Sequence, residues 1–152
     1  MLPPNAPVTR LVWEAVVDVA ERQSLGVGPN GARFIVPILG GVFRGGPGFE
    51  KLRGTVPAGG ADRQVLRPDG IKELDAQYEM SVDDGTVLTI RNRVLVDETV
   101  AGPRYALSRI HVVAPQGDWD WLNRRLFVGT LQTARPKRAA VIVRAWLVEQ
   151  EI

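Results

Sequence analysis

The chain has 152 residues, 45% of them hydrophobic, no cysteine, and 19 basic against 17 acidic side chains for a formal net charge of +2. One hydrophobic core is the normal outcome at this length, and it needs neither disulfides nor a structural metal to hold it. The lack of cysteine excludes thiolate nucleophiles, thiolate metal sites and redox pairs, and the interspersed charges argue against a nucleic-acid binder, whose Lys and Arg gather on one face.

The chain opens Met1-Leu2-Pro3-Pro4, with no basic stretch leading into an apolar core, so no secretory leader is expected. No run approaches the ~18 apolar residues of a membrane helix. Together with the missing cysteines and the absence of an Asn-x-Ser/Thr acceptor, this predicts a soluble cytoplasmic protein with neither membrane nor nucleic-acid partners.

Eight runs of strand composition follow: Leu11–Val19, Arg33–Phe43, Leu52–Val56, Glu73–Met80, Thr86–Val96, Tyr105–Val113, Arg124–Leu131 and Ala139–Val148. Glycine and proline punctuate them, as in Gly26-Val27-Gly28-Pro29-Asn30-Gly31, Gly45-Gly46-Pro47-Gly48, Arg67-Pro68-Asp69-Gly70 and Gly102-Pro103. From Glu73 to Met80 the period is two: Leu74, Ala76, Tyr78 and Met80 share one face, and Glu73, Asp75, Gln77 and Glu79 the other. Asp83-Asp84-Gly85 reads as a hairpin turn, because Asp and Gly tolerate the backbone that tight turns need. A short helix is expected near residues 117–123, and the last run, interrupted only by Arg144, reads as a strand buried on both sides or nearly so.

The fold class is therefore all-β, one domain over residues 1–152, with about eight antiparallel strands. Closure into a barrel removes the two unpaired edges that an open sheet would leave, and an eight-strand barrel has room for side chains or one small ligand. A two-sheet sandwich is the competing architecture.

Gly40-Gly41 and Gly45-Gly46 are not a phosphate cradle, since no helix pattern follows them; close backbone approach in a curved strand explains them better. His111 is the only histidine, so no multi-histidine metal site can be built, and no serine lies in a Gly-x-Ser-x-Gly elbow. The remaining candidates are polar residues near strand ends and turns. Asp62, Asp75 and Tyr78 offer carboxylates and a phenol for acid–base work, Arg67 an anion anchor, and Asn123 a carboxamide for a carbonyl. Purely structural alternatives stand beside several of these roles: Asp62 as a turn cap, Asp69 of the same Arg67–Gly70 turn as an ordinary turn aspartate, and Arg67 and Asp75 as an ion pair.

The run from Gly26 through Arg33-x-Ile35-Val36-Pro37-Ile38-x-Gly40-Gly41-x-Phe43-x-Gly45 is followed by Gly59-Gly60-Ala61-Asp62, Arg67-Pro68-Asp69-Gly70, Leu74-Asp75-Ala76-x-Tyr78, Arg91-Asn92-Arg93 and Trp121-Leu122-Asn123. In that order these resemble the DUF3237 family, also called UPF0311. The resemblance implies a calycin-like antiparallel β-barrel and cofactor-free chemistry on aromatic or polyketide-like small molecules by lyase, decarboxylase, isomerase or cyclase steps. The chain departs from the family pattern at Arg63, where a Trp is usual, at Gln77, where an Arg is usual, and across Tyr105–Val113, the segment that holds His111.

The resulting expectation is a cofactor-independent enzyme that moves a proton on a small aromatic molecule, with or without a carboxylate, bound in the barrel mouth. Asp62 or Asp75 would be the base and Tyr78 or His111 the acid, with Arg67 and Asn123 holding the substrate and Trp121 and Phe43 lining the wall. No metal is expected. The alternatives are a non-catalytic small-molecule carrier and an oligomeric scaffold, and homo-oligomerisation is expected in any case.

Overall fold

The structure, a computed structural model, describes residues 2–150. Ten strands follow in chain order: β1 (Pro7–Val19), β2 (Gln23–Gly28), β3 (Gly31–Gly45), β4 (Gly54–Val56), β5 (Ala61–Leu66), β6 (Lys72–Val82), β7 (Val87–Asp97), β8 (Tyr105–Val113), β9 (Leu126–Thr133) and β10 (Ala140–Gln150). Hydrogen bonding runs β1-β10-β9-β8-β7-β6, crosses β4 and β5 to β3, and returns from β3 to β1. β4 and β5 share one place in this ring: β4 bridges Gly41–Phe43 of β3 to the end of β6, and β5 bridges Ala32–Pro37 of β3 to the start of β6. β1 and β2 likewise pair with successive parts of β3, which leaves eight staves in a closed antiparallel barrel.

Closure depends on a near-contact of backbones. Val16 and Val17 of β1 lie opposite Val42 and Gly41 of β3, and a Cβ on Gly41 would stand 2.2 Å from the Val16 carbonyl oxygen. Only glycine lets the two strands meet there, as expected of glycine in a curved strand.

Alternation decides what faces inward. In β7, Leu88, Ile90, Asn92, Val94 and Val96 are buried, while Thr89, Arg93 and Leu95 are exposed. In β10 the outer residues Ile142, Arg144, Trp146 and Val148 are half-buried, close to the two-sided burial its composition suggests. Asp83-Asp84-Gly85 forms the β6–β7 turn: the Gly85 N–H donates to the Val82 carbonyl at 2.9 Å, and Asp84 accepts from the Thr86 N–H at 2.9 Å. The expected short helix is a 3-10 turn at Asp120–Arg124, later and tighter than the sequence suggests.

The two ends differ. At one, Trp13 packs on Phe127 with centroids 5.7 Å apart, Phe127 meets Trp121 at 6.4 Å, and Trp121 stacks on Phe49 at 5.7 Å. Together with buried Leu52, Met80, Leu88 and Leu122 these rings seal that end. The other end, where the β1–β2, β5–β6, β7–β8 and β9–β10 connections gather, is open. Among the described residues no helix is long and apolar enough to cross a membrane.

Candidate functional site

A cavity of about 280 Å³ opens at the unsealed end and runs down the barrel axis. Its walls are mainly aliphatic, from Val17, Val36, Ile38, Leu74, Val94, Leu131 and Val143. Among the polar groups that interrupt them, Asp62 from β5, Tyr78 from β6 and Asn92 from β7 come together.

Register brings the three together. Asp62 lies opposite Ala76, Ala76 opposite Asn92, and Tyr78 follows Ala76 by two residues on the same inward face. Gly60 lets the chain pass close to β6, since a Cβ there would sit 2.6 Å from both the Gln77 carbonyl oxygen and the Tyr78 Cβ.

Each of the three holds a buried polar atom with no hydrogen-bond partner among the described residues: Asp62 Oδ1, the Tyr78 hydroxyl and the Asn92 carboxamide oxygen. Leaving such an atom unpaired costs about 1–3 kcal/mol, so a cluster of them lining a cavity is a mark of a site that recognises something polar. The other Asp62 oxygen accepts a 2.8 Å hydrogen bond from Gln64.

Burial dominates the electrostatics. Desolvation raises the Asp62 pKa from 3.8 to about 6 against the opposing hydrogen bond from Gln64. The Tyr78 hydroxyl is pushed well above its usual value, first by burial and then by the charge of Asp62. Burial thus raises both groups: near neutrality the cavity holds a carboxyl that is mostly ionised but within reach of its midpoint, together with a fully protonated phenol, the combination of base and hydrogen-bond donor that acid–base sites use.

The other residues picked out in the sequence lie elsewhere. Asp75 points to the outside of β6, where Arg91 grips it with hydrogen bonds of 3.1 and 2.9 Å and lowers its pKa. His111 sits on the outer face of β8 opposite Arg91. Arg67 holds the β5–β6 turn, paired with Asp69 and, at 3.1 Å, with Glu73 rather than with Asp75. Asn123 donates to and accepts from the backbone of Ala114, both at 2.8 Å, and so fixes the 3-10 turn to the end of β8. Trp121 and Phe43 belong to the packed core and do not line the cavity. Only Asp62 and Tyr78 of the eight candidates share the cavity.

Gln64 and Asn92 were missed. Asn92 carries a readable signal, a polar residue in the apolar phase of β7. Gln64 carries none, because its neighbour on the same face of β5, Asp62, is polar as well.

From the start of β1 almost to the end of β10 the chain matches one family of proteins: the DUF3237 model, described as "Protein of unknown function (DUF3237)", matches residues 7–148. The chain belongs to the DUF3237 family. Among its DUF3237 relatives, the UPF0311 protein RPA1785 of Rhodopseudomonas palustris is 31% identical over 135 residues, which is 80% of this chain and 86% of that protein. The crystal structure of RPA1785, described as a conserved protein of unknown function, superposes with a TM-score of 0.84 at 27% identity, covering 96% of this chain and 100% of that one. A β-barrel-like protein from Acinetobacter baumannii superposes at 0.83 with 22% identity, covering 98% and 100%. An enzyme from Penicillium herquei does so at 0.75 with 18% identity, covering 98% and 99%. These last two likenesses show the DUF3237 barrel fold and no more.

Proposed function

We propose that this barrel is a cofactor-independent lyase or isomerase that moves a proton on a small aromatic molecule held in its cavity. The observation that carries the reading is the presence of Asp62 and Tyr78 in one largely aliphatic cavity, each with an oxygen unpartnered. In its ionised form Asp62 takes a proton from a carbon next to a carbonyl. The C–H electron pair forms a carbon–carbon double bond as the carbonyl π pair moves to oxygen, where the Tyr78 O–H donates a hydrogen bond to the developing negative charge. Collapse of that enolate then either expels a leaving group from the neighbouring carbon or takes a proton back at a new position. Low-dielectric walls strengthen both interactions. That a protein of the same fold from Penicillium herquei is described as an enzyme is in keeping with this reading.

The test is a thermal-shift screen of aromatic acids and polyketide-like phenolics with mass spectrometry of every hit. For a converted substrate, Asp62→Asn is expected to reduce kcat/KM at least about a hundredfold and Tyr78→Phe by about tenfold or more, whereas Asp75→Asn and His111→Gln leave it unchanged. In the native protein kcat/KM should rise with pH through about 6, as Asp62 ionises. Full turnover by Asp62→Asn would end the proposal, and a ligand bound but recovered unchanged would mark a carrier.

A further inference from the structure

The cavity mouth is lined by four cations: Arg22 from the β1–β2 connection, Lys72 at the start of β6, Arg104 from the β7–β8 loop and Arg135 from the β9–β10 loop. In the order of the staves these elements form an arc over more than half of the rim. The only acidic side chain lining the same cavity is Asp62.

Three of these four charges are not spent on carboxylates of the protein among the described residues. Lys72 pairs with Glu98 at 3.1 Å, but among the described residues Arg22, Arg104 and Arg135 have no carboxylate within 4 Å. Some arginines elsewhere on the barrel are matched, Arg138 with Asp18 at 2.7 Å, Arg144 with Glu14 at 2.7 Å and Arg91 with Asp75 at 2.9 Å. Among the described residues Arg33, Arg63, Arg93, Arg109 and Arg125 are not, so it is their gathering at the mouth of this cavity that sets Arg22, Arg104 and Arg135 apart. Arg22 is also held in place, its guanidinium 3.9 Å from the centre of the Phe34 ring. A held, planar, unpaired guanidinium is suited to bidentate recognition of an oxyanion, and clustered like charges over low-dielectric walls focus the field at the mouth.

We infer that the mouth is an anion collar, and that the molecule bound in the cavity carries a dianionic end, a dicarboxylate or a phosphate monoester, gripped by Arg22, Arg104 and Arg135. The uncharged end then reaches down to Asp62, Tyr78 and Asn92. The inference rests on the reading of this cavity as the substrate site and names the substrate class that site selects. A single carboxylate would neutralise one guanidinium and leave the other charges uncompensated, whereas a dianion offsets two.

Isothermal titration of the intact protein with phenol, benzoate, phthalate and phenyl phosphate tests this directly. The expected order is phenol weakest, benzoate intermediate, and phthalate or phenyl phosphate at least about tenfold tighter than benzoate, with affinity falling as salt is raised. Whichever dianion leads tells a dicarboxylate from a phosphate ligand. Arg104→Gln and Arg135→Gln, both at exposed positions, should each weaken the dianions about tenfold and leave phenol unaffected, and Glu98→Gln, by freeing Lys72, should strengthen them. Dianions that bind no better than phenol, or not at all at millimolar concentration, or that bind the glutamine variants as tightly as the native protein, would overturn the collar. Asp62→Asn separates the two claims: it should keep dianion affinity while losing turnover, so that a failed collar and a failed proton transfer give different results.

Discussion

Asp62 is a residue the fold tolerates at a cost. Its folded-state pKa, about 6, lies above the 3.8 of an unburied carboxyl, so the folded chain holds the proton more tightly than the unfolded one. Its contribution to stability is complete below about pH 4, declines as the pH rises toward 6, and above that is a penalty of up to about 3 kcal/mol. Asp62→Asn is therefore expected to melt several degrees above the native protein at pH 7.5 and at nearly the same temperature at pH 4, as followed by circular dichroism; equal melting at both would contradict the burial argument. The sequence shows Asp62 only as the aspartate after Gly59-Gly60-Ala61, which looks like a turn. It gives no hint that a strand begins there. For Asp75 the information was present: it shares a face with Glu73, Gln77 and Glu79, opposite Tyr78, so both could not enter one cavity. His111 is out of phase with buried Ile110 and Val112 by the same rule.

At the level of strands, long elements with clean alternation were legible, and β6, β7 and β8 appear within a few residues of where their period places them. Two strands escaped notice. β2 reads Gln-Ser-Leu-Gly-Val-Gly and is almost wholly exposed, so it has no apolar face to show. β5 reads Ala-Asp-Arg-Gln-Val-Leu, and its inward residues Asp62 and Gln64 are polar because they line the cavity. The functional strand was hidden by its function. Of Gly40-Gly41, in contrast, Gly41 is the place of close approach that was expected of the pair, and Gly41→Ala tests how much depends on it. A methyl group 2.2 Å from the Val16 carbonyl must part β1 from β3, so urea unfolding should show a loss of about 3 kcal/mol or more. Val42→Ala, on the exposed face of the same strand, should cost less than about 1 kcal/mol.

Across the whole molecule, what distinguishes a closed barrel from a sandwich is which strands meet at the seam, and here β1 joins both β3 and β10. Residues about 130 positions apart pair there, Glu14 with Arg144 at 2.7 Å among them, and no local pattern reveals a partner at that distance. The contrast between a sealed and an open end was equally beyond composition, because Trp13, Phe49, Trp121 and Phe127 come from four separate segments. Their gathering has a spectroscopic consequence. Trp13, Trp119 and Trp121 belong to the sealed end, Trp146 donates to Thr130 on the outer wall, and none of the four lines the cavity. Native tryptophan emission is thus blind to the mouth: adding a ligand should leave its wavelength and intensity unchanged. Unfolding, which strips the packing from buried Trp13, should shift the same emission to the red. One intrinsic signal then reads folding without interference from binding, and a ligand shows itself only by raising the denaturant concentration at which the red shift occurs.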